Sequence, residues 1–191
     1  MTRQSVVEFR THTEDDREGI INFLFSIRDE LYFSERSVAE HIVSQLFTQG
    51  GAIVGEVDGE IAALSGYFLG EPSHHFANKE VGFVYVAGIA RPYRGTAAFR
   101  TGFRFTVETF QSWGLREIRL HALAQDIRLN SLYSSFAQPI RKEENGRGLP
   151  CVLYGNTLEA VMHILTEREK RRHAYNITPV HRPVASRPHG V

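Results

Sequence analysis

The sequence predicts a mixed α+β domain built on one central, mostly antiparallel sheet flanked by helices. Three observations predict it. The pair Asp58-Gly59 stands between two strand-like runs, Ala52 to Val57 and Glu60 to Leu69, and such a pair favours a type I′ hairpin. A β-branched and aromatic run, Val81 to Ile89, then feeds through a short turn into a segment with helical spacing. Two more strand-like runs, Ile140 to Glu144 and Cys151 to Gly155, follow the last short helix. One hairpin before the central strand and two strands at the end do not fit a parallel, doubly wound sheet.

Taken in order, Val6 to Arg10 reads as a first strand. Thr13 and Asp16, three residues apart, imitate a capping box, and the acidic residues between them suit the start of a helix. Ile20, Ile21, Leu24, Phe25 and Ile27 to Leu31 form the apolar side of that helix. Ser37 and Glu40 repeat the capping pattern before Val38, Ile42, Val43, Leu46 and Phe47, and Gly50-Gly51 is the stop. The polar segment Glu71 to Lys79 is a loop. After the central strand, Phe99, Phe103, Val107 and Phe110 recur at helical intervals up to Gly114. That spacing predicts that Phe99 is buried. Glu117 to Leu123 is a strand, and Asp126 caps a helix carrying Leu129, Leu132, Tyr133 and Phe136. Pro139 ends that helix, and Leu158 to Leu165 is a final helical turn or two.

The chain has 191 residues, enough for one domain and one core. Lys and Arg number 22, as do Asp and Glu, and this balance argues against a nucleic-acid-binding protein. One cysteine, Cys151, excludes an internal disulfide and a multi-cysteine metal site. No apolar run is long enough to span a bilayer and no apolar signal core opens the chain, so a cytoplasmic protein is expected. His74-His75 are adjacent, but no further ligands complete a metal site, and none is expected. The domain is expected over residues 5–166. From residue 167 to 191, Arg168, Lys170, Arg171, Arg172, Arg182 and Arg187 outweigh the acids, which reads as a helix end followed by an irregular basic tail.

The turn after the central strand, Ala90-Arg91-Pro92-Tyr93-Arg94-Gly95-Thr96, has the makings of an anion site. The first N–H groups of a helix lack internal partners and point into such a turn. Arg91 and Arg94 add forked donors suited to phosphate.

Arg91-Pro92-Tyr93-Arg94-Gly95, directly after a strand, resembles the coenzyme A loop Q/R-x-x-G-x-G/A of the GCN5-related N-acetyltransferases. Arg94 takes the Q/R place; Ala97 and Phe99 replace the two small residues. The element order from Val6 to about Leu165 resembles that family as well. The resemblance implies an acyltransferase that uses acetyl-CoA or another acyl-CoA as co-substrate, with a small-molecule or peptide amine as acceptor. Arg94 and the N–H groups from Gly95 through Thr96, Ala97 and Ala98 to Phe99 would hold the pyrophosphate. Ala87-Gly88-Ile89 matches the segment that pairs with pantetheine, where a backbone N–H would also stabilise the oxyanion. Gly88 would permit a bulge there. Leu132-Tyr133 matches the family's Leu-Tyr pair, with Asp126 in the place of its Asn among the cofactor-contacting positions, so Tyr133 would protonate the departing thiolate. For the base, Glu80 at the start of the central strand, His121 and a water chain all stay open. The resemblance also leaves room for a homodimer. Rival readings are transfer of a longer acyl chain from an acyl carrier protein, a non-catalytic binding protein of the same fold, and an unrelated α/β protein with a basic tail.

Overall fold

The computed structural model describes residues 6–177. Its strands are β1 (Glu8–Thr11), β2 (Gly50–Val57), β3 (Glu60–Leu69), β4 (Val81–Ile89), β5 (Glu117–Leu123), β6 (Gln138–Glu144) and β7 (Pro150–Thr157). Its helices are α1 (Arg17–Ser26), α2 (Arg36–Gln49), α3 (Ala98–Ser112), α4 (Ile127–Ser134) and α5 (Leu158–Ile177). The strands form one sheet in the order β1-β2-β3-β4-β5-β7-β6. Only β4 and β5 run parallel. The expected mostly antiparallel sheet with Val81–Ile89 at its centre is therefore present.

Alternation along the strands divides the core in two. On one face α1 and α2 bury Ile20, Leu24, Val43 and Leu46 against Val54, Leu64, Phe83 and Val86. On the other face α3 and α5 bury Val107, Phe110, Val161 and Leu165 against Ile53, Val84, Ile118, Leu120 and Tyr154. Gly82 lets α3 come close, since a Cβ there would lie 2.3 Å from the ring of fully buried Phe110. Gly82→Ala is expected to destabilise the fold by about 1–3 kcal/mol through overpacking. Urea unfolding measures it, and an unchanged midpoint would mean that Phe110 has room to turn.

The hairpin turn is as expected: Asp58 and Gly59 both have positive φ, 52° and 83°. Four expectations are corrected. Helix α1 stops at Ser26 rather than Leu31, and the chain wraps into a turn in which Tyr32 has φ 57°. Arg147 from the β6–β7 loop donates to the carbonyls of Leu31 and Tyr32, so these groups need no helix to satisfy them. Ser37 lies inside α2, whose N-cap is Glu35, because Arg36 is drawn into pairs with Glu18 and Glu40. Pro139 does not end a helix; it sits in β6, a sheet edge that tolerates a missing N–H. Finally, the chain beyond Thr166 continues as helix through Ile177. Arg104 of α3 grips Glu169, and Arg168 donates to the Ser135 carbonyl, which fastens α5 to its neighbours. Residues 178–191, the rest of the expected tail, lie outside the described residues.

Candidate active site

Strands β4 and β5 pair only from Val81 with Glu117 to Val84 with Leu120. Beyond that point they part. The cause is a bulge in β4: Tyr67 of β3 faces Val84 and Gly66 faces Val86, so Tyr85 is the extra residue. A bulge adds twist and bends its strand away from the neighbour. The parting opens a cleft of about 380 Å³. Residues of α3, α4, the Glu30–Tyr32 turn and the β6–β7 loop line it with the two strands.

The parted half of β4 presents an unpaired edge. Ala90 donates its N–H to Ala62 of β3, and the register pairs Gly88 with Leu64. In an antiparallel ladder the bonded pairs alternate, so Ala87 and Ile89 turn their N–H and C=O groups away from β3, toward the cleft. Gly88 spends its backbone on β3. The bulge expected at Gly88 is thus at Tyr85, and the glycine serves a different need: a Cβ there would lie 2.3 Å from Ile27 of the α1 end.

In the turn before α3, Gly95 has φ 72°, a conformation that a side chain would strain. The Thr96 hydroxyl donates to the Tyr93 carbonyl at 2.6 Å and accepts the Ala98 N–H at 3.1 Å. Ala98 is therefore already served. The N–H groups of Gly95, Thr96, Ala97, Phe99 and Arg100 have no partner among the described residues. Arg94 donates to the Ile89 carbonyl and to Glu30, both at 2.8 Å. Arg91 points outward, 3.9 Å from Glu30. Ala98 takes the inward place that the spacing gave to Phe99. Phe99 is half-buried, because the sheet it would pack on has already parted; its ring stacks on Phe103 instead.

Helix α4 is fixed at its N-terminal end. Asp126 accepts the Leu129 N–H at 2.9 Å, as its capping role predicts. The Asn130 amide donates to the Leu123 and Asp126 carbonyls and accepts from the Tyr154 hydroxyl. This places Tyr133, 6% exposed, against Phe136 and Tyr154. Its hydroxyl has no hydrogen bond among the described residues, yet no fully buried polar side-chain atom there lacks a partner. The hydroxyl must therefore be reached from the cleft that Tyr133 lines. Burial, with a smaller push from Asp126, raises the phenol above its ordinary pKa.

His121 lines the opposite side of the cleft. Its Nε2 is bonded to Glu143 of β6, and its ring sits edge-on to Phe83. Glu143 in turn accepts from Arg141 Nε at 2.6 Å. Arg141 and Arg119 both hold the buried carboxylate of Glu71, at 2.7 and 3.2 Å. Burial pushes Glu71 up, but the hydrogen bond from Arg141 and the charges of Arg141, Arg119 and His74 outweigh it and leave the carboxyl below its ordinary value. This chain of charges covers the face of β5, β7 and β6, where α1 and α2 do not reach.

Glu80 stands apart. It lies at the paired end of β4, about 16 Å along the strand from Tyr85 at ~3.3 Å per residue. Its side chain is 57% exposed and faces Arg116. His74 salt-bridges Glu71 rather than bordering the cleft. Cys151 is buried at the cleft wall, and burial raises its thiol. No group of metal-ligating side chains occurs among the described residues. Sequence reasoning missed Glu143, Glu30, Asn130 and Arg147, each of which acts across the sheet or between loops and leaves no local pattern.

No family model matches this sequence, and no curated protein does. Solved structures do. A protein from Desulfovibrio desulfuricans assigned to the GNAT acetyltransferases superposes with a TM-score of 0.63 at 15% identity, covering 80% of this chain and 99% of that one. An Acinetobacter baylyi protein described as an acetyltransferase gives 0.63 at 14%, covering 83% and 96%. The Escherichia coli ribosomal-protein-S18-alanine N-acetyltransferase gives 0.60 at 10%, covering 80% and 94%. The chain has the GNAT acetyltransferase fold.

Proposed function

We propose that this chain is an N-acyltransferase that moves an acetyl or other acyl group from acyl-coenzyme A to a primary amine by direct attack. One observation carries the reading: β4 and β5 part to expose an unpaired strand edge, with Tyr133 and His121 opening onto the same cleft. An extended amide arm adds to such an edge as an extra strand. The Ala87 carbonyl and the Ile89 N–H would take the pantetheine amide arm, which leaves the Ala87 N–H for the reacting carbonyl. The unpartnered N–H groups at the start of α3 suit a pyrophosphate.

Acyl-coenzyme A supplies the thioester. His121, its Nε2 turned to Glu143, takes one proton from the ammonium at Nδ1, which frees the amine lone pair to attack. An N–H of the β4 edge steadies the oxyanion as the new C–N bond forms. Tyr133 gives its proton to sulfur as the C–S bond breaks, and the second proton that the nitrogen sheds on becoming an amide restores the phenol. No covalent acyl-enzyme is involved. The test is calorimetric binding of acetyl-CoA followed by release of free thiol with a panel of amines. Binding without thiol release for any amine would leave a non-catalytic protein, and no binding of any acyl-CoA would refute the reading outright.

Glu30 opposes the phosphates. Its carboxylate holds Arg94 at 2.8 Å and would face the incoming anion. Glu30→Gln is expected to tighten coenzyme A about two- to fivefold, with the gain shrinking in salt, because exposed charges contribute little. Titration at two ionic strengths checks this. A weaker affinity would show that Glu30 positions Arg94 rather than competing for it.

A further inference from the structure

Beside the cleft lies a second recess, about 310 Å³, between α3, the α4 end and α5. Phe99 and Leu132 line both, so the two share a wall at the start of α3. The recess is walled by five arginines, Arg100, Arg104, Arg168, Arg171 and Arg172, against one carboxylate, Glu169. In a chain with equal numbers of acidic and basic residues, this is a local concentration of charge. Two of the arginines have internal work. Arg104 is held by Glu169 at 2.9 Å, and Arg168 donates to Ser135. Arg100, Arg171 and Arg172 have no hydrogen bond or ion pair among the described residues. Arg168, Arg171 and Arg172 share one side of α5, three and four residues apart, because the helix continues well past Leu165.

We infer that this recess receives the 3′-phosphorylated adenosine end of coenzyme A, with Arg100, Arg171 and Arg172 as its phosphate donors. The inference rests on the coenzyme A reading and says where the cofactor's second charged group goes. Phe99 and Leu132, common to the cleft and the recess, make the recess the cleft's immediate neighbour at the start of α3. Guanidinium forks match phosphate oxygens in pairs, and a phosphate monoester carries most of two charges at neutral pH. The arrangement also bears on the altered turn. Arg94 is engaged by Glu30, and Ala97 and Phe99 replace the small residues of the resembling loop. The positive charge that Glu30 offsets in the turn is matched one helix away.

The experiment compares coenzyme A with 3′-dephospho-coenzyme A by calorimetry, on the full chain and on the double variant Arg171→Ala/Arg172→Ala. The full chain should bind coenzyme A about tenfold more tightly than the dephospho form, the size of a charged hydrogen bond or two. The double variant should lose about that factor for coenzyme A and keep its dephospho-coenzyme A affinity, bringing the ratio near one. Both residues are exposed and make no hydrogen bond or ion pair among the described residues, so the melting temperature should not move. Equal affinity of the full chain for the two nucleotides would overturn the inference and leave the acyltransferase reading standing. So would a double variant that binds coenzyme A as tightly as the parent. If neither nucleotide binds, the coenzyme A reading fails and takes the inference with it.

Discussion

Tyr133→Phe is expected to lower kcat by about 10²–10⁴-fold while leaving the fold intact. The change removes one oxygen. That oxygen has no protein partner among the described residues, so its loss strands no buried group and costs little stability. The ring, packed on Phe136 and Tyr154, stays. A tyrosine that served only as core filler would show no kinetic effect on losing its hydroxyl. The sign of the pH dependence follows from the raised pKa. The acid must be protonated to act, and burial holds the phenol protonated beyond the ordinary tyrosine value of about 10. Activity should thus show no tyrosine-derived fall on the alkaline side below about pH 10. A fall that begins near pH 8 and vanishes in Tyr133→Phe would contradict the burial assigned to this group. Unchanged thiol release by the variant would end the general-acid role.

How much of this was legible in the sequence depends on how local each cause is. The bounds of β4 and β5 were readable to the residue because apolar alternation and turn residues are written along one stretch of chain. The hairpin at Asp58-Gly59 was readable for the same reason. The bulge at Tyr85 was not, since a bulge is a property of two strands in register, and Gly88 drew attention by being a glycine. Phe99 shows the limit of periodicity. Its spacing with Phe103, Val107 and Phe110 is real, but the sheet beneath it has parted, so Ala98 packs inward and Phe99 becomes a wall. The length of α5 was hidden by composition: Arg168, Lys170, Arg171 and Arg172 read as a solvated tail, whereas Arg104 and Ser135, far off in sequence, anchor it. Glu143 lies in an unremarkable run, Arg141-Lys142-Glu143-Glu144. Only the pairing of β6 with β7, and of β7 with β5, carries it to His121.

That pairing favours His121 among the bases left open by the sequence, and three substitutions test the choice. His121→Ala should lower kcat/KM by about 10²–10⁴-fold, the usual loss of a positioned base. Glu80→Gln should change it less than about twofold, because an exposed carboxylate outside the cleft neither meets the amine nor contributes much to stability. Glu143→Gln separates positioning from chemistry. A carboxylate at Nε2 can only accept, so in the neutral ring it selects the tautomer whose Nδ1 lone pair is open to the ammonium proton. An amide in its place can offer an N–H to Nε2 instead and stabilise the wrong tautomer. The expected loss is about ten- to a hundredfold in kcat with KM nearly unchanged, the worth of a charged hydrogen bond. Arg141 also leans on Glu143, so unfolding curves must accompany the kinetics. If Glu143→Gln lowers stability and leaves kcat alone, Glu143 belongs only to the charged cover of the sheet. If Glu80→Gln abolishes turnover while His121→Ala does not, the proton leaves by a route outside the cleft, and His121 is no base.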